Sequence, residues 1–351
     1  MTEPKRFRDT FLDYIPEPQM GREAYRDALI RSFERGESEV HPIYALLKVT
    51  NRCSSKCVYC GHAGVTDKAG EASTELLRDI LDQLADVGTV SVNFTGGEPL
   101  QRRDLPELVS YARRRGVFPI LLTNGLLLRR REAELREAGL GMVIVSLDSI
   151  HPEAYQATRG VPLAPVLDGI DALLEWPDER RPAITVTIVV TSENVDHLDD
   201  VVAYFGKRGV GVKLSPYHHH GRREDDRLSP KVQSAYALAI EKLRELKDAD
   251  LGVINSHAYL QNFPAFNFHD RHLPPGYRCY CGYTTLYIDP KLNVRSCWSQ
   301  GLPVAGSLRK HRLRDLLSSA RMREMREKIR ELDCERCWLL CTAEISLRFQ
   351  P

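Results

Sequence analysis

The sequence predicts an α/β protein built around a parallel sheet, and two observations carry that prediction. From Tyr44 to Ser215, short apolar runs typical of buried strands alternate with longer amphipathic runs typical of helices. Polar motifs follow several of these strands, and functional groups in parallel α/β barrels lie at the C-terminal ends of the strands. The predicted strands cover residues 44–49, 89–94, 118–122, 142–147, 184–190 and 212–215, and the predicted helices cover 73–87, 105–115, 129–138, 165–174 and 198–208.

Composition narrows the classes of protein to consider. The chain has 351 residues and is 42% hydrophobic, which is enough apolar material for a substantial core. A formal net charge of +1 gives no electrostatic reason to expect nucleic acid or a membrane surface as a partner. No apolar run is long enough to span a membrane, and the polar start lacks a signal-peptide core. Because the nine cysteines are clustered, we expect a cytoplasmic protein that uses them as metal ligands.

The first strand leads directly into a loop that holds three cysteines. Residues 1–42 predict a charged helical extension, and the apolar run after it predicts a buried strand. Cys53, Cys57 and Cys60 then follow with C-x3-C-x2-C spacing. Three thiolates would hold three corners of an iron–sulfur cube and leave one iron open, whereas a zinc site with four protein ligands is closed. His62 lies just beyond and could complete such a zinc site, so zinc is the alternative.

Short polar motifs follow the next strands. In Gly-Gly-Glu-Pro, glycine allows close backbone approach to a ligand and proline fixes the turn. This motif and Thr-Asn-Gly are also ordinary turn sequences, and a single arginine is ordinarily solvated. Three adjacent histidines after the sixth strand cannot all face one metal, so we interpret them as a polar loop, with one contacting substrate as the alternative. The motifs are Gly96-Gly97-Glu98-Pro99, Thr123-Asn124-Gly125, Ser146-Leu147-Asp148, Arg159-Gly160 and His218-His219-His220.

The remaining six cysteines lie near the C-terminus. The segment 281–297 predicts a β-hairpin with its turn at residues 289–293, and 333–341 predicts a turn that opens a short helix. Six thiolates cannot fully ligate two cubes, which favours one cluster, and a structural zinc ribbon is the alternative. The cysteines are Cys279, Cys281, Cys297, Cys334, Cys337 and Cys341.

Together, the cysteine loop and the Gly-Gly-Glu-Pro motif resemble the radical S-adenosylmethionine (radical SAM) enzymes. The resemblance implies a partial (β/α)6 barrel in which Cys53, Cys57 and Cys60 hold a [4Fe–4S] cluster that binds S-adenosylmethionine. It implies that Gly96, Gly97, Glu98 and Pro99 meet the amino group of that cofactor through backbone and acidic side chain. It also implies contacts to its adenine, ribose or carboxylate from a further set of residues, which are Tyr59, Asn124, Ser146, Asp148 and Arg159.

The C-terminal region resembles the twitch or SPASM extension that carries auxiliary [4Fe–4S] clusters in this family. By resemblance to the twitch domain of an aminoglycoside-pathway dehydrogenase, we expect one auxiliary cluster held by Cys279, Cys297, Cys334 and Cys337, with Cys281 competing for the place of Cys279. Cys281 and Cys341 are then buried thiols, or one of them donates a hydrogen atom to a substrate radical. We expect an N-terminal extension at 1–42, the core barrel at 43–225, a helical connection at 226–275 and the auxiliary-cluster domain at 276–351.

The resemblance implies reductive cleavage of S-adenosylmethionine to a 5′-deoxyadenosyl radical, which removes a hydrogen atom from the substrate. An auxiliary cluster suits dehydrogenation, and a hydrogen-donating cysteine suits epimerisation. We expect a small sugar, cyclitol or nucleoside as substrate, because residues 1–42 are too few for the leader-recognition domain of many peptide maturases. A peptide-modifying maturase is the alternative, and a non-catalytic cluster scaffold is a distant one. A flavodoxin or ferredoxin would supply the electron.

Overall fold

A computed structural model describes residues 7–61, 63–68, 70–217, 230–268, 273–297, 302–334 and 336–351. Its strands are β1 (Tyr44–Thr50), β2 (Ser91–Gly96), β3 (Phe118–Thr123), β4 (Met142–Ser146), β5 (Ala183–Val190), β6 (Gly211–Pro216), β7 (Thr285–Ile288), β8 (Asn293–Arg295) and β9 (Gly306–Ser307). The three histidines at 218–220 lie outside the described residues, as does His62.

Helices connect the strands and complete the C-terminal part of the chain. They are α1 (Arg22–Arg35), α2 (Thr74–Asp86), α3 (Leu105–Arg114), α4 (Leu128–Ala138), α5 (Pro152–Arg159), α6 (Ala164–Leu174), α7 (Leu198–Gly206), α8 (Pro230–Asp248), α9 (His257–Phe268), α10 (Leu313–Leu317), α11 (Ala320–Arg330) and α12 (Ala343–Arg348). Short 3-10 helices cover Phe11–Tyr14, Pro99–Gln101 and Val195–His197. Within the described ranges, no helix combines the length and apolarity needed to cross a membrane.

The parallel sheet that the sequence predicts is confirmed. Strands β1 to β6 pair in chain order, each parallel to the next, with helices between consecutive strands. Helix α5 is an addition, because the sequence analysis placed no helix between residues 147 and 165. Its signals are Pro152 at the first helical turn and Gly160 at the C-terminus, which adopts a φ of +64°.

The two faces of this sheet pack against different partners. Side chains such as Leu47, Val92 and Val186 point to one face and form a large core with the surrounding helices. The opposite face encloses a second core, which lies inside the curved sheet and includes strand residues, the N-terminal segment and helix α12. That inner core includes Tyr44, Ile120, Met142, Ile144, Phe11, Ile345 and Phe349. Both ends of the described chain therefore fill one part of the barrel interior.

The C-terminal hairpin continues the barrel sheet. Strand β7 pairs in parallel with β1 and in antiparallel with β8, so the predicted hairpin extends the sheet at the β1 edge. At the opposite edge, Val212 of β6 makes a single parallel bridge with Val253. The pairing of β7 with β1 brings the distal cysteines next to the strand that leads into the first cysteine loop.

Candidate active site

The first cysteine loop is closed on itself by backbone hydrogen bonds. The N–H of Cys53 donates to the carbonyl of Val65 at 2.8 Å, and that of Gly64 donates to Ser55 at 2.9 Å. Cys53 and Cys57 are buried, Cys60 is half-buried, and all three are reduced thiols. Burial raises the pKa of the Cys57 thiol to about 11. A metal would have to displace these protons, as thiolate-bound metals do.

The C-terminus of helix α5 supports this loop. The carbonyl of Arg159 accepts from the N–H of Lys56, and the carbonyl of Thr158 accepts from that of Val58, both at 3.0 Å. Carbonyls in the last turn of a helix have no partner within the helix, so the loop satisfies them. At Gly160 a Cβ atom would lie only 2.8 Å from the Lys56 side chain. The helix that the sequence analysis missed therefore helps to position the cysteines.

Gly96 and Gly97 allow β2 to approach the chain that leaves β1. A Cβ atom on Gly96 would lie 2.2 Å from the Thr50 carbonyl oxygen, and one on Gly97 would lie 2.2 Å from that of Arg52. The N–H of Gly97 donates to Thr50 at 2.9 Å. Only glycine fits at these two positions, because any side chain would clash with the backbone at the start of the cysteine loop.

The Glu98 carboxylate is fully buried against protein groups. It accepts hydrogen bonds from the N–H of Leu100 at 3.0 Å, from the Thr123 hydroxyl at 2.8 Å and from the N–H of Asn124 at 2.7 Å. Burial raises its pKa to about 7, although these donors act in the opposite direction. The side chain thus contacts the end of β3, and its contact with a cofactor amino group stays a prediction. Pro99 is also buried and begins a 3-10 helix.

Asn124 connects the end of β3 to the cysteine loop. Its side-chain amide donates to the Ser55 hydroxyl at 2.8 Å and lies 3.9 Å from the Cys53 sulfur. The same side chain accepts a hydrogen bond from the N–H of Leu126. Asn124 therefore lies beside a thiol of the cysteine loop, and its contact with the cofactor stays a prediction.

Asp148 is the centre of a buried network at the end of β4. Its carboxylate accepts from Arg159 Nε and Nη2 at 2.7 and 2.9 Å, and from the Tyr59 hydroxyl at 2.6 Å. The guanidinium also lies 5.6 Å from the centre of the Tyr59 ring and 4.0 Å from the Cys57 sulfur. Asp148 thus pairs with the Arg159 guanidinium, and the contact of Arg159 with the cofactor stays a prediction. Ser146, two residues earlier, remains half-buried on the inner face.

Two further residues of this network were missed by the sequence analysis. The Asn194 side-chain amide donates to the Asp148 carbonyl at 3.0 Å and to the Val189 carbonyl at 2.9 Å. The Tyr217 ring meets the Tyr59 ring edge-on, with centroids 6.2 Å apart. Both follow predicted strands, and that position is the signal that could have identified them.

The inner face near the strand ends combines half-buried and buried polar groups. Half-buried polar side chains occur on three of its strands, at Thr95 on β2, Ser146 on β4 and Thr187 on β5. Lys48 on β1 and Lys213 on β6 are buried, and burial lowers their pKa values to about 8 and about 7. This part of the interior therefore offers polar contacts, unlike the apolar inner core.

The distal cysteines form a second group of reduced thiols. Hydrogen bonds with Cys279 and Cys297, together with burial, raise the pKa of the Cys281 thiol well above its usual range. The pKa of Cys334 rises to about 12 through burial and the nearby Cys279 and Cys297. Burial and the same two thiols raise the pKa of Cys337 well above its usual range. The four predicted ligands and Cys281 therefore come together.

Cys341 occupies a different side of this group from Cys281. It interacts electrostatically with Cys297 and Lys213, and it contributes to the raised pKa of Tyr44 on the inner face. Cys281 instead packs with Cys297, Leu302 and Ile329. Of the two cysteines left outside the predicted ligand set, Cys341 is the one whose interactions with residues of β1 and β6 are resolved.

The donor sets fit iron–sulfur clusters. Each group brings together at least three reduced thiols from separate positions in the chain, and thiolates are the usual protein ligands of such clusters. The first group lies beside the C-terminal ends of parallel strands, where α/β barrels carry their reacting groups. Fold and thiol groups together define an α/β barrel enzyme of the iron–sulfur class.

Comparison with known proteins identifies the family. Residues 47–205 match the radical SAM superfamily, and residues 279–338 match SPASM, an iron–sulfur cluster-binding domain. A PqqA peptide cyclase from Streptomyces rochei is 30% identical over 280 residues, which cover 77% of this chain and 74% of that protein. The chain belongs to the radical SAM superfamily and carries a SPASM domain. Its cofactors are accordingly S-adenosylmethionine, a [4Fe–4S] cluster and auxiliary iron–sulfur clusters, and the expectation that it binds these cofactor types is confirmed.

Other matches are partial or structural. A probable GTP 3′,8-cyclase from Methanosarcina acetivorans is 37% identical over 224 residues, 60% of this chain and 64% of that protein. For another PqqA peptide cyclase, from Bradyrhizobium diazoefficiens, the chain spans only 42% of the relative's length. The crystal structure of Streptococcus suis SuiB bound to S-adenosylmethionine shares the fold, with a TM-score of 0.67, 15% identity, and coverage of 91% of this chain and 76% of SuiB.

Proposed function

We propose that this chain is a radical SAM enzyme that modifies a peptide. The observation that carries the proposal is the match to the Streptomyces rochei PqqA peptide cyclase, which extends over 280 residues and covers 77% of this chain and 74% of that protein. This supports the peptide alternative over the small sugar, cyclitol or nucleoside that the sequence analysis favoured.

In this proposal the first thiol group binds the cluster that activates S-adenosylmethionine. Cys53, Cys57 and Cys60 are its ligands, and the bound cofactors supply a carbon radical that removes a hydrogen atom from the peptide. Asn124 orients the loop through Ser55, and the Asp148–Arg159 pair holds Tyr59 at the loop's edge. The cofactor's polar groups would then meet the backbone of 96–97 and the half-buried Ser146.

The second thiol group serves as the auxiliary-cluster site in this proposal. Cys279, Cys297, Cys334 and Cys337 are its ligands, and the hydrogen bonds of Cys281 make it the alternative to Cys279. Its position beside β1, through the β7 pairing, suits transfer of an electron from a substrate inside the barrel. Cys341 is the better candidate for a hydrogen-atom donor, since it interacts with Lys213 on β6.

Anaerobic turnover separates peptide from small-molecule substrates. Cluster-loaded enzyme receives S-adenosylmethionine, a reductant and either the short peptides encoded beside its gene or a panel of nucleotides and sugars. We expect 5′-deoxyadenosine to rise with one peptide, whose mass falls by a pair of hydrogen atoms or whose stereochemistry changes. Cys57→Ala is the control and should form no 5′-deoxyadenosine. Stoichiometric turnover of GTP or a sugar, with no peptide modified, would contradict the proposal.

A further inference from the structure

Two histidines and one aspartate, residue types that commonly ligate metals, meet on the surface. His151 precedes helix α5, His197 precedes helix α7, and Asp200 lies in the first turn of α7. His151 Nε2 lies 2.9 Å from Asp200 Oδ2, and His197 Nδ1 lies 3.8 Å from the same oxygen. One potential ligand atom from each residue lies within 4.8 Å of the other two.

We propose that His151, His197 and Asp200 bind a divalent transition-metal ion with the preferences of zinc. Imidazole nitrogen and carboxylate oxygen are usual zinc donors, at about 2.0–2.1 Å from the ion. In a tetrahedral site such donors lie about 3.3 Å apart, so the separations in this cluster are close to what coordination requires. Two nitrogen donors among three disfavour calcium and magnesium, which prefer oxygen. All three side chains are exposed, so water would complete the coordination shell.

The arrangement of the rings supports a shared ligand. The ring centroids of His151 and His197 are 4.7 Å apart. Both imidazole rings therefore lie beside the same Asp200 carboxylate. Both residues stand at the N-termini of helices, so their backbones are fixed by regular structure. The two rings and the Asp200 carboxylate together make a nitrogen-rich donor set.

The site would cross-link two loops that also hold the buried network. The N–H of His151 donates to the Ser149 hydroxyl at 3.0 Å, and the N–H of His197 donates to the Asn194 carbonyl at 3.0 Å. Asn194 in turn donates to the Asp148 carbonyl. Each histidine is therefore three residues beyond a member of the Asp148 network. A bound ion would restrain the loops after β4 and β5 without entering the barrel.

Zinc uptake by the cluster-loaded enzyme tests the proposal. Iron and zinc are counted by mass spectrometry after equilibrium dialysis, for wild type, His197→Ala and the control His257→Ala. His257 is also an exposed histidine paired with an aspartate, Asp248 at 3.5 Å, but within the described part of the chain it has no third ligand group. We expect about one zinc in wild type and in the control, and none in His197→Ala, with iron unchanged in all three.

X-ray absorption distinguishes this site from zinc held by cysteines. Zinc in the proposed site should show only nitrogen and oxygen neighbours at about 2.0–2.1 Å, whereas zinc on thiolates shows sulfur at about 2.3 Å. Hydrogen exchange of residues 148–151 and 194–200 should slow on zinc addition in wild type and stay unchanged in Asp200→Asn. Equal zinc uptake by His197→Ala and His257→Ala, or a shell of sulfur alone, would overturn the proposal.

Discussion

At the scale of single residues, Asp148 has the densest set of contacts in the site. One buried carboxylate accepts hydrogen bonds from Arg159, Tyr59 and the N–H of Val189, and so joins β4, α5, β5 and the cysteine loop. Arg159 is itself buried, so its charge depends on this carboxylate for compensation. Removing one partner of such a pair leaves the other charge buried and unpaired.

We therefore expect Asp148→Asn to reduce the free energy of unfolding by about 3–5 kcal/mol and to weaken S-adenosylmethionine binding. The amide keeps the shape of the side chain but leaves the Arg159 charge uncompensated. Urea titration under anaerobic conditions and equilibrium dialysis of the cofactor measure the two effects. Asp178→Asn is the matched control, because its pair with Arg181 is exposed and should change stability by less than about 1 kcal/mol. Equal effects of the two substitutions would contradict the assignment of Asp148.

The raised pKa of the buried Glu98 carboxyl group predicts that the free energy of unfolding depends on pH. Its pKa is raised from 4.5 to about 7 in the folded chain, so the folded state holds a proton that the unfolded state has lost between these pH values. Its contribution to the unfolding free energy should fall as the pH rises through that window. Comparing wild type with Glu98→Gln at several pH values measures it, since glutamine does not titrate there. If the difference between the two proteins is constant from pH 4.5 to 7, this interpretation is wrong.

At the scale of elements, the cysteine loop is positioned by the ends of three neighbours. The C-terminus of α5 accepts hydrogen bonds from its backbone, the end of β2 approaches its first residues, and Asn124 at the end of β3 binds Ser55. The described residues of the loop, between β1 and residue 73, have no regular secondary structure. Its geometry is therefore set by packing between elements.

Gly97→Ala should disturb this packing. The new Cβ atom would lie 2.2 Å from the Arg52 carbonyl oxygen and 2.5 Å from that of Asn51, and backbone atoms cannot rotate away. We expect a loss of about 1–3 kcal/mol in the free energy of unfolding and a lower iron content. Gly61→Ala is the control, because a Cβ atom there meets nothing within 4 Å. Iron retention equal to that of the control would show that the loop adapts without cost.

At the scale of the whole molecule, one sheet joins the two thiol groups. Strand β1 pairs with β2 on one side and with β7 on the other, so the first cysteine loop and the distal hairpin share a strand. Helix α12 packs its Ile345 into the inner core, which ties the segment after Cys341 to the barrel. The two groups are consequently held by one continuous framework.

Iron content should divide between the two groups. We expect about eight irons per chain in the reconstituted protein and about four in each of two variants, Cys57→Ala and the double Cys334→Ala/Cys337→Ala. Only Cys57→Ala should abolish 5′-deoxyadenosine formation entirely, because its cluster activates the cofactor. Iron and sulfide analysis, with electron paramagnetic resonance of the reduced protein, provides the measurement. A wild-type value near four would remove the auxiliary cluster from the proposal.

The sequence by itself determined the alternation of strands and helices, the spacing of Cys53, Cys57 and Cys60, and through them the family, because these depend on residues close together in the chain. It left helix α5 unassigned, since Pro152 and Gly160 were its only strong local signals. Only the tertiary structure decided that Glu98 faces Thr123, that Asp148 engages Arg159, and that Cys281 joins the distal thiols while Cys341 lies nearer the barrel. Those contacts join residues distant in sequence, and burial and packing of separate elements select them.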